Sequence, residues 1–345
     1  MRRLALLTIL ALTGLLLVVP PAAACACGAV VTQEGVRVNE ETALIRHDGQ
    51  TEEIVMGLTM TDEPRDAAWI LPVPADPSFE LGPEDLFADL AVLTRPRTVV
   101  VRDWFPPWGR GGATAGSAPG DGATVLDQIT IGPYDVTTLA ATDGDALANW
   151  LNGHGYRLDP ALAGGFAPYA AAGWRYVAVK LTAPDDRERL SRQLPPLRVS
   201  FASAEIVYPM RLTALARDAQ SVRLYVLTDH RVRSAGPVGP TDSHVRFAGW
   251  IGPEAVAGTT LAGLVDGRRF LTRFDQRIES PESITDDYRF VAAGADDDHR
   301  DVVYRTEPVY LAGLPAGPFL IILGVLLTFI VAGTVTAVLM RRRTR

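Results

Sequence analysis

A chain of 345 residues that is 48% hydrophobic and 21% charged can bury a core and is too apolar for disorder. With 33 basic against 40 acidic side chains the net charge is −7, and setting aside Arg2, Arg3, Arg341, Arg342, Arg343 and Arg345 leaves the remainder at −13. That balance disfavours nucleic acid and acidic membrane surfaces as partners, and the composition excludes collagen, coiled coil and a disulfide-dense mini-domain.

The N-terminus reads as a secretory signal over residues 1–24. Arg2 and Arg3 precede an apolar stretch at 4–19 that Pro20 and Pro21 end, and Ala22, Ala23 and Ala24 supply the small residues of a cleavage site. Cleavage there leaves Cys25 first. Ala22 stands where a lipobox carries leucine, so ordinary cleavage is expected rather than lipidation.

The exported body follows. Residues 42–47 read as a strand, Asp48-Gly49 as a type I′ hairpin turn, and 51–60 as the returning strand with Ile54, Met56 and Leu58 alternating. Residues 67–71 form another apolar strand, closed by Pro72 and Pro74. Gly82-Pro83-Glu84-Asp85 opens a helix with Leu86, Leu90 and Leu93 on one face. A β segment follows at 97–102. Residues 109–124 are rich in Gly, Ala and Ser and read as a flexible linker or long loop. They mark off an N-terminal β-rich part, 25–108, from a C-terminal part, 125–317.

Beyond them, 134–140 reads as a strand. A short helix carries Leu147, Trp150 and Leu151, and a second helical stretch from Asp159-Pro160 is interrupted by Gly164-Gly165 and Pro168. Residues 174–181 form a strand, and 199–215 with 222–228 read as a long antiparallel pair, with Pro209 at an edge or bulge. Residues 232–300 carry no clear pattern. Residues 319–340 are 22 positions without a charge, enough for about 33 Å of helix and therefore a transmembrane span. Arg341 to Arg345 form a cytoplasmic tail by the positive-inside rule, which puts the body outside.

Five stretches carry a family resemblance: Cys25-Ala26-Cys27-Gly28; Glu41-Thr42-Ala43-Leu44-Ile45 with Asp48-Gly49-Gln50-Thr51-Glu52; Trp69-Ile70-Leu71-Pro72-Val73-Pro74; Leu147-Ala148-Asn149-Trp150-Leu151 with Gly155-Tyr156; and Val199-Ser200-Phe201 through Tyr208-Pro209. On these the chain resembles the uncharacterised bacterial domain-of-unknown-function family DUF2330 over most of residues 25–230. The resemblance implies an exported, often membrane-tethered protein and supplies no catalytic residues.

Among candidate chemistries, Cys25 and Cys27 are the only cysteines. They allow a disulfide, and a Cys-x-Cys ring is small and strained, so free or intermolecular thiols and a redox role stay open. Asp296-Asp297-Asp298-His299 with Asp301 offers oxygen ligands but no EF-hand spacing, and reads as a solvated loop. There is no His-Glu-x-x-His, Gly-x-Ser-x-Gly, P-loop or dinucleotide motif in the sequence. No catalytic residue, metal or cofactor is therefore assigned. Trp104-Phe105-Pro106-Pro107-Trp108 puts aromatic anchors beside rigid prolines. Trp104, Phe105 and Trp108 are the candidate partner surface.

The expected fold is α+β, mostly antiparallel sheet with a few short helices and one C-terminal transmembrane helix. The expected function is that of a non-catalytic, single-pass envelope protein whose extracytoplasmic body binds a protein or envelope component. The alternatives are an extracytoplasmic hydrolase, which a perturbed carboxylate or histidine in a cleft would favour, and a small-ligand receptor.

Overall fold

The computed structural model describes residues 23–25, 28–31, 38–60, 63–105, 134–139, 153, 160–182 and 189–343. The signal segment up to residue 22, Cys27, Trp108, the 109–124 stretch and the helix expected around Trp150 lie outside these residues.

In chain order the strands begin with β1 (Ala23–Cys25), β2 (Gly28–Val31), β3 (Val38–His47), β4 (Thr51–Met60), β5 (Asp66–Val73) and β6 (Ser78–Leu81). Helix α1 (Leu86–Leu93), β7 (Arg97–Asp103), β8 (Tyr134–Leu139), helix α2 (Pro160–Ala171) and β9 (Arg175–Thr182) follow. Then come β10 (Leu197–Ala202), β11 (Ile206–Tyr208), β12 (Gln220–Thr228), β13 (Val232–Ser234), β14 (His244–Ile251), β15 (Arg269–Ile278), β16 (Tyr288–Ala292) and β17 (His299–Arg300). The chain ends with β18 (Val302–Pro308), β19 (Tyr310–Leu311), β20 (Leu314–Pro315) and helix α3 (Ala316–Arg343). The fold is mostly strand, with three helices among the described residues.

The chain divides into two compact units, residues 1–95 with 125–300, and residues 96–124 with 301–345. In the first unit an eight-stranded sheet runs β17-β14-β15-β12-β3-β4-β10-β6, and a five-stranded sheet runs β1-β2-β5-β9-β8. Their facing sides share one core, with Ile45, Ile54, Met56 and Val226 from the large sheet and Trp69, Val177 and Val179 from the small one. Each sheet is covered on its other side as well. Helix α2 lays Leu162, Phe166 and Tyr169 against Ala68, Ile70 and Tyr176. Helix α1 brings Leu86 and Leu90 to Leu44, Val55, Tyr225 and Leu271. Burial on both faces explains why Trp69-Ile70-Leu71 is a continuous apolar run: Trp69 and Leu71 face the shared core and Ile70 faces α2.

The structure corrects three expectations. The β3–β4 hairpin has the expected pairing, from Val38↔Met60 to His47↔Glu52, but not the expected turn. Only Gly49 takes a positive φ, of 96°, where type I′ needs two. Asp48 closes the loop instead, accepting the amides of Gln50 at 3.0 Å and Thr51 at 2.8 Å, an Asx turn. The Thr51 and Gln50 amides hold the Asp48 carboxyl below its ordinary range. Helix α2 runs unbroken through Gly164, Gly165 and Pro168. Its buried face holds it, and the Tyr176 hydroxyl donates to the Phe166 carbonyl at 2.7 Å. Finally, 199–215 and 222–228 do not pair. Strand β10 joins β4 and β6, β11 joins β16, and after Pro209 the chain turns into a short 3₁₀ helix, Arg211–Leu215. Strand β12 instead pairs antiparallel with β15 and parallel with β3.

The second unit pairs β7 with β18 in parallel, from Arg97↔Val302 to Asp103↔Pro308. Strands β19 and β20 form a tight hairpin across Ala312 (φ 54°) and Gly313 (φ 81°), and α3 follows at once. Two successive positive φ values define the type I′ turn here, with alanine at a position glycine would hold with less strain.

Candidate functional site

Three clusters of polar groups stand out in the body, and one aromatic segment in the second unit.

A cleft of about 420 Å³ opens among β3, β12, β14 and β15. Cross-strand register aligns Glu41, Val222 and Gln276 in one row, so their side chains share the inner face. Val222 belongs there on hydrophobic grounds. Glu41 and Gln276 need partners because both are buried. The Tyr208 hydroxyl donates to Glu41, and the Tyr288 hydroxyl donates to the Gln276 carbonyl oxygen. Gln276 Nε2 in turn donates to the Thr241 carbonyl at 2.6 Å. Burial holds the Tyr288 hydroxyl well above its ordinary value, so it stays a donor.

On the opposite side of the same strands Asp275 accepts from Arg273 Nε and a terminal nitrogen, both at 2.8 Å. Arg223 and Arg246 approach it at 3.6 and 3.7 Å. Ser221 Oγ accepts from Arg277 at 3.3 Å. The guanidinium is the donor in this bond and offers no acceptor, so the contact does not activate the serine. The lining of the cleft joins Glu41 and Gln276 with Ser221, Arg223, Thr241, Asp275 and Arg277, a mostly polar set.

The second cluster lies at the turn end of the β3–β4 hairpin. Glu52 is fully buried, and each of its oxygens accepts the Val207 amide at 3.2 Å. Desolvation pushes its pKa well above the carboxylate range, against the pull of that amide. Beside it, His47 Nδ1 accepts the Gly49 amide at 3.1 Å, which puts its proton on Nε2, facing the Ser203 carbonyl at 3.0 Å. This perturbed carboxylate does not line the cleft.

The third cluster is a buried hub. Asp287 accepts the amides of Met210 (2.7 Å) and Arg211 (3.1 Å) and the Tyr169 hydroxyl (2.5 Å). Arg211 also pairs with Asp286 at 2.5 Å. Burial and then the Asp287 charge drive the Tyr169 pKa up, so the phenol donates at every physiological pH. The hub turns the chain after Pro209 and ties α2 to β16, a structural task.

Asp296 ties its loop to the one between β12 and β13, accepting the Arg231 amide at 2.7 Å and pairing with exposed His230 at 2.8 Å.

Of the sequence-chosen residues, Cys25 ends β1, paired opposite Gly28. Trp104 and Phe105 follow β7 and are 43% and 62% exposed. The Phe105 amide donates to Asp103 Oδ1 at 2.9 Å. The Trp104 carbonyl accepts the Gly317 amide at 2.7 Å, and a Cβ on Gly317 would sit 2.5 Å from the Phe105 ring. Only glycine admits this approach. Glu41, Gln276 and their tyrosines were not singled out from the sequence. The signal was there for Glu41: period-two alternation puts it on the same face as Ala43 and Ile45.

The architecture is thus an α+β body with a C-terminal helix long and apolar enough to cross a membrane. The sequence matches the bacterial family described as an uncharacterized protein conserved in bacteria (DUF2330) over residues 21–291, and the chain belongs to that family. No curated protein matches it. Among solved structures, the crystal structure of baculovirus P35 aligns with a TM-score of 0.32 and 11% identity, covering 78% of this chain and 97% of that one. A likeness that weak carries no argument about fold or function.

Proposed function

We propose that this protein is a single-pass envelope protein, its body extracytoplasmic and its C-terminal arginines cytoplasmic, and that the body is a non-catalytic binding or structural module. The observation that carries the reading is α3. It is 28 residues long, its apolar side chains are exposed from Leu320 to Met340, and it closes on Arg341, Arg342 and Arg343. An apolar surface of that size without a protein cover suits lipid. The N-terminal apolar stretch supplies the export signal in this reading. Cleavage before Cys25 would remove two of the three residues of β1 and leave the pairing of β2 with β5 intact.

The test is protease added to intact spheroplasts carrying a C-terminally tagged chain. The body should be digested while the tag survives. A fully protected body overturns the orientation.

A second reading, a receptor for a small polar molecule, rests on Glu41 and Gln276 lining the cleft. A thermal-shift screen of polar metabolites against wild type and Glu41→Gln tests it. A stabilisation lost in the variant supports the receptor, and none across the screen removes it.

A further inference from the structure

We propose that Trp104, Phe105, Tyr310, Leu311 and Leu314 form an aromatic collar that inserts into the outer headgroup layer of the same bilayer that α3 crosses. The proposal rests on the anchored reading above and names the bilayer as the partner of the Trp104–Phe105 surface.

The argument begins with the first turn of α3. A helix start leaves amide groups without partners in the helix, and lipid cannot satisfy them. Here the Ala316 amide donates to the Val309 carbonyl at 2.8 Å and the Gly317 amide to the Trp104 carbonyl at 2.7 Å. The Phe105 ring closes over Gly317 where no Cβ fits. The helix start is therefore tied to Trp104 and Phe105 by a hydrogen bond and a ring contact.

Length then fixes depth. Twenty-eight helical residues measure about 42 Å, the thickness of a bilayer with both headgroup layers. Arg341–Arg343 mark one boundary, so Ala316 and Gly317 fall at the other. Gly317 lies about 3 Å of helix before Phe319, where the apolar run of 22 residues to Met340 begins. The Trp104 carbonyl is hydrogen-bonded at that level.

The exposed side chains complete the argument. Trp104, Phe105, Tyr310, Leu311 and Leu314 are large, apolar and exposed, and all belong to the segments that hold the helix start. Trp and Tyr concentrate at the membrane–water interface, where an apolar ring and a polar edge are both satisfied. The collar is aromatic and aliphatic rather than basic, so it suits neutral headgroups and should be insensitive to salt.

The experiment reconstitutes the full chain in phosphatidylcholine vesicles that contain lipid brominated near the headgroup or deep in the acyl chain. Tryptophan quenching is read in wild type and Trp104→Phe, and insertion of α3 is checked by vesicle flotation and protease protection of a C-terminal tag. Wild type should lose more fluorescence to the shallow bromines. Trp104→Phe should abolish that excess, and Tyr310→Trp in the Trp104→Phe background should restore it. The excess should persist at high salt. If α3 is inserted and neither tryptophan reporter is quenched, the collar is refuted and the anchor stands. If the chain does not float with the vesicles, the anchored reading fails and the collar with it.

Discussion

Strands β4 and β7 are written in a similar alphabet, with Ile54-Val55-Met56 in one and Val99-Val100-Val101 in the other. Their fates differ. In β4 every one of those three side chains is buried, because a sheet face and a helix cover its two sides. In β7 Val100 and Val101 stay exposed, as do Val303 and Tyr304 on its partner β18. Apolar, β-branched sequence fits a pleated surface, but it does not say what covers that surface. In the body the cover is the chain itself. In the second unit Val100, Val101, Val303 and Tyr304 have no such cover among the described residues.

Substitutions sharpen this contrast. Trp69→Ala, in the core shared by the two large sheets, should cost about 3–5 kcal/mol, read as a lower denaturant midpoint. A change below 1 kcal/mol would mean that the two sheets do not share a core. Asp287→Ala leaves the Met210 and Arg211 amides and the Tyr169 hydroxyl without their acceptor and should cost about 2–4 kcal/mol by the same measurement.

Glu52→Gln acts through pH. Because its folded pKa is raised, the folded chain holds a proton that the unfolded chain releases above about 4.3. Wild-type stability should therefore fall as pH rises from the ordinary glutamate value through the raised one. The glutamine variant should lose that slope and be at least as stable at pH 8. Denaturant melts at pH 5 and pH 8 decide it, and an unchanged slope would assign the dependence to another group. At the other end of the scale, Trp104→Ser should move body stability by less than about 0.5 kcal/mol. A drop of several degrees in the body's melting temperature would erase the difference between the two units.

What could be read from the sequence was what local pattern encodes. The β3–β4 strands alternate, α1 follows Pro83 and Asp85 with Leu86 and Leu90 inward, and the charge-free run of α3 is continuous. What could not be read depends on partners far along the chain. Strand β12 finds β3 about 180 residues away in sequence, so Val222 to Thr228 gave no sign of its parallel neighbour. Residues 232–300 hold the ten-residue β15, whose buried Phe274, Gln276 and Ile278 alternate with Arg273, Asp275 and Arg277, but the short strands and 3₁₀ turns around it hid that period. Alternation places Glu41 on the face of Ala43 and Ile45, but its partner Tyr208 lies 167 residues downstream and gave no local sign. Trp104 and Phe105 were legible as an anomaly, but their contact with Gly317 was not.

The parallel pairing of β3 with β12 also sets a timetable. The middle of the eight-stranded sheet cannot close until residue 228 is available, so the β3–β4 hairpin must wait with one flank unpaired while some 160 further residues emerge. Such distant pairing makes for slow folding. A fragment stopping at Asp218 would keep the hairpin and lose the strand that seals it. Its open β3 edge, bordered by Ala43 and Ile45, would then be free to recruit a second copy, and truncations there should yield aggregates rather than a smaller folded body.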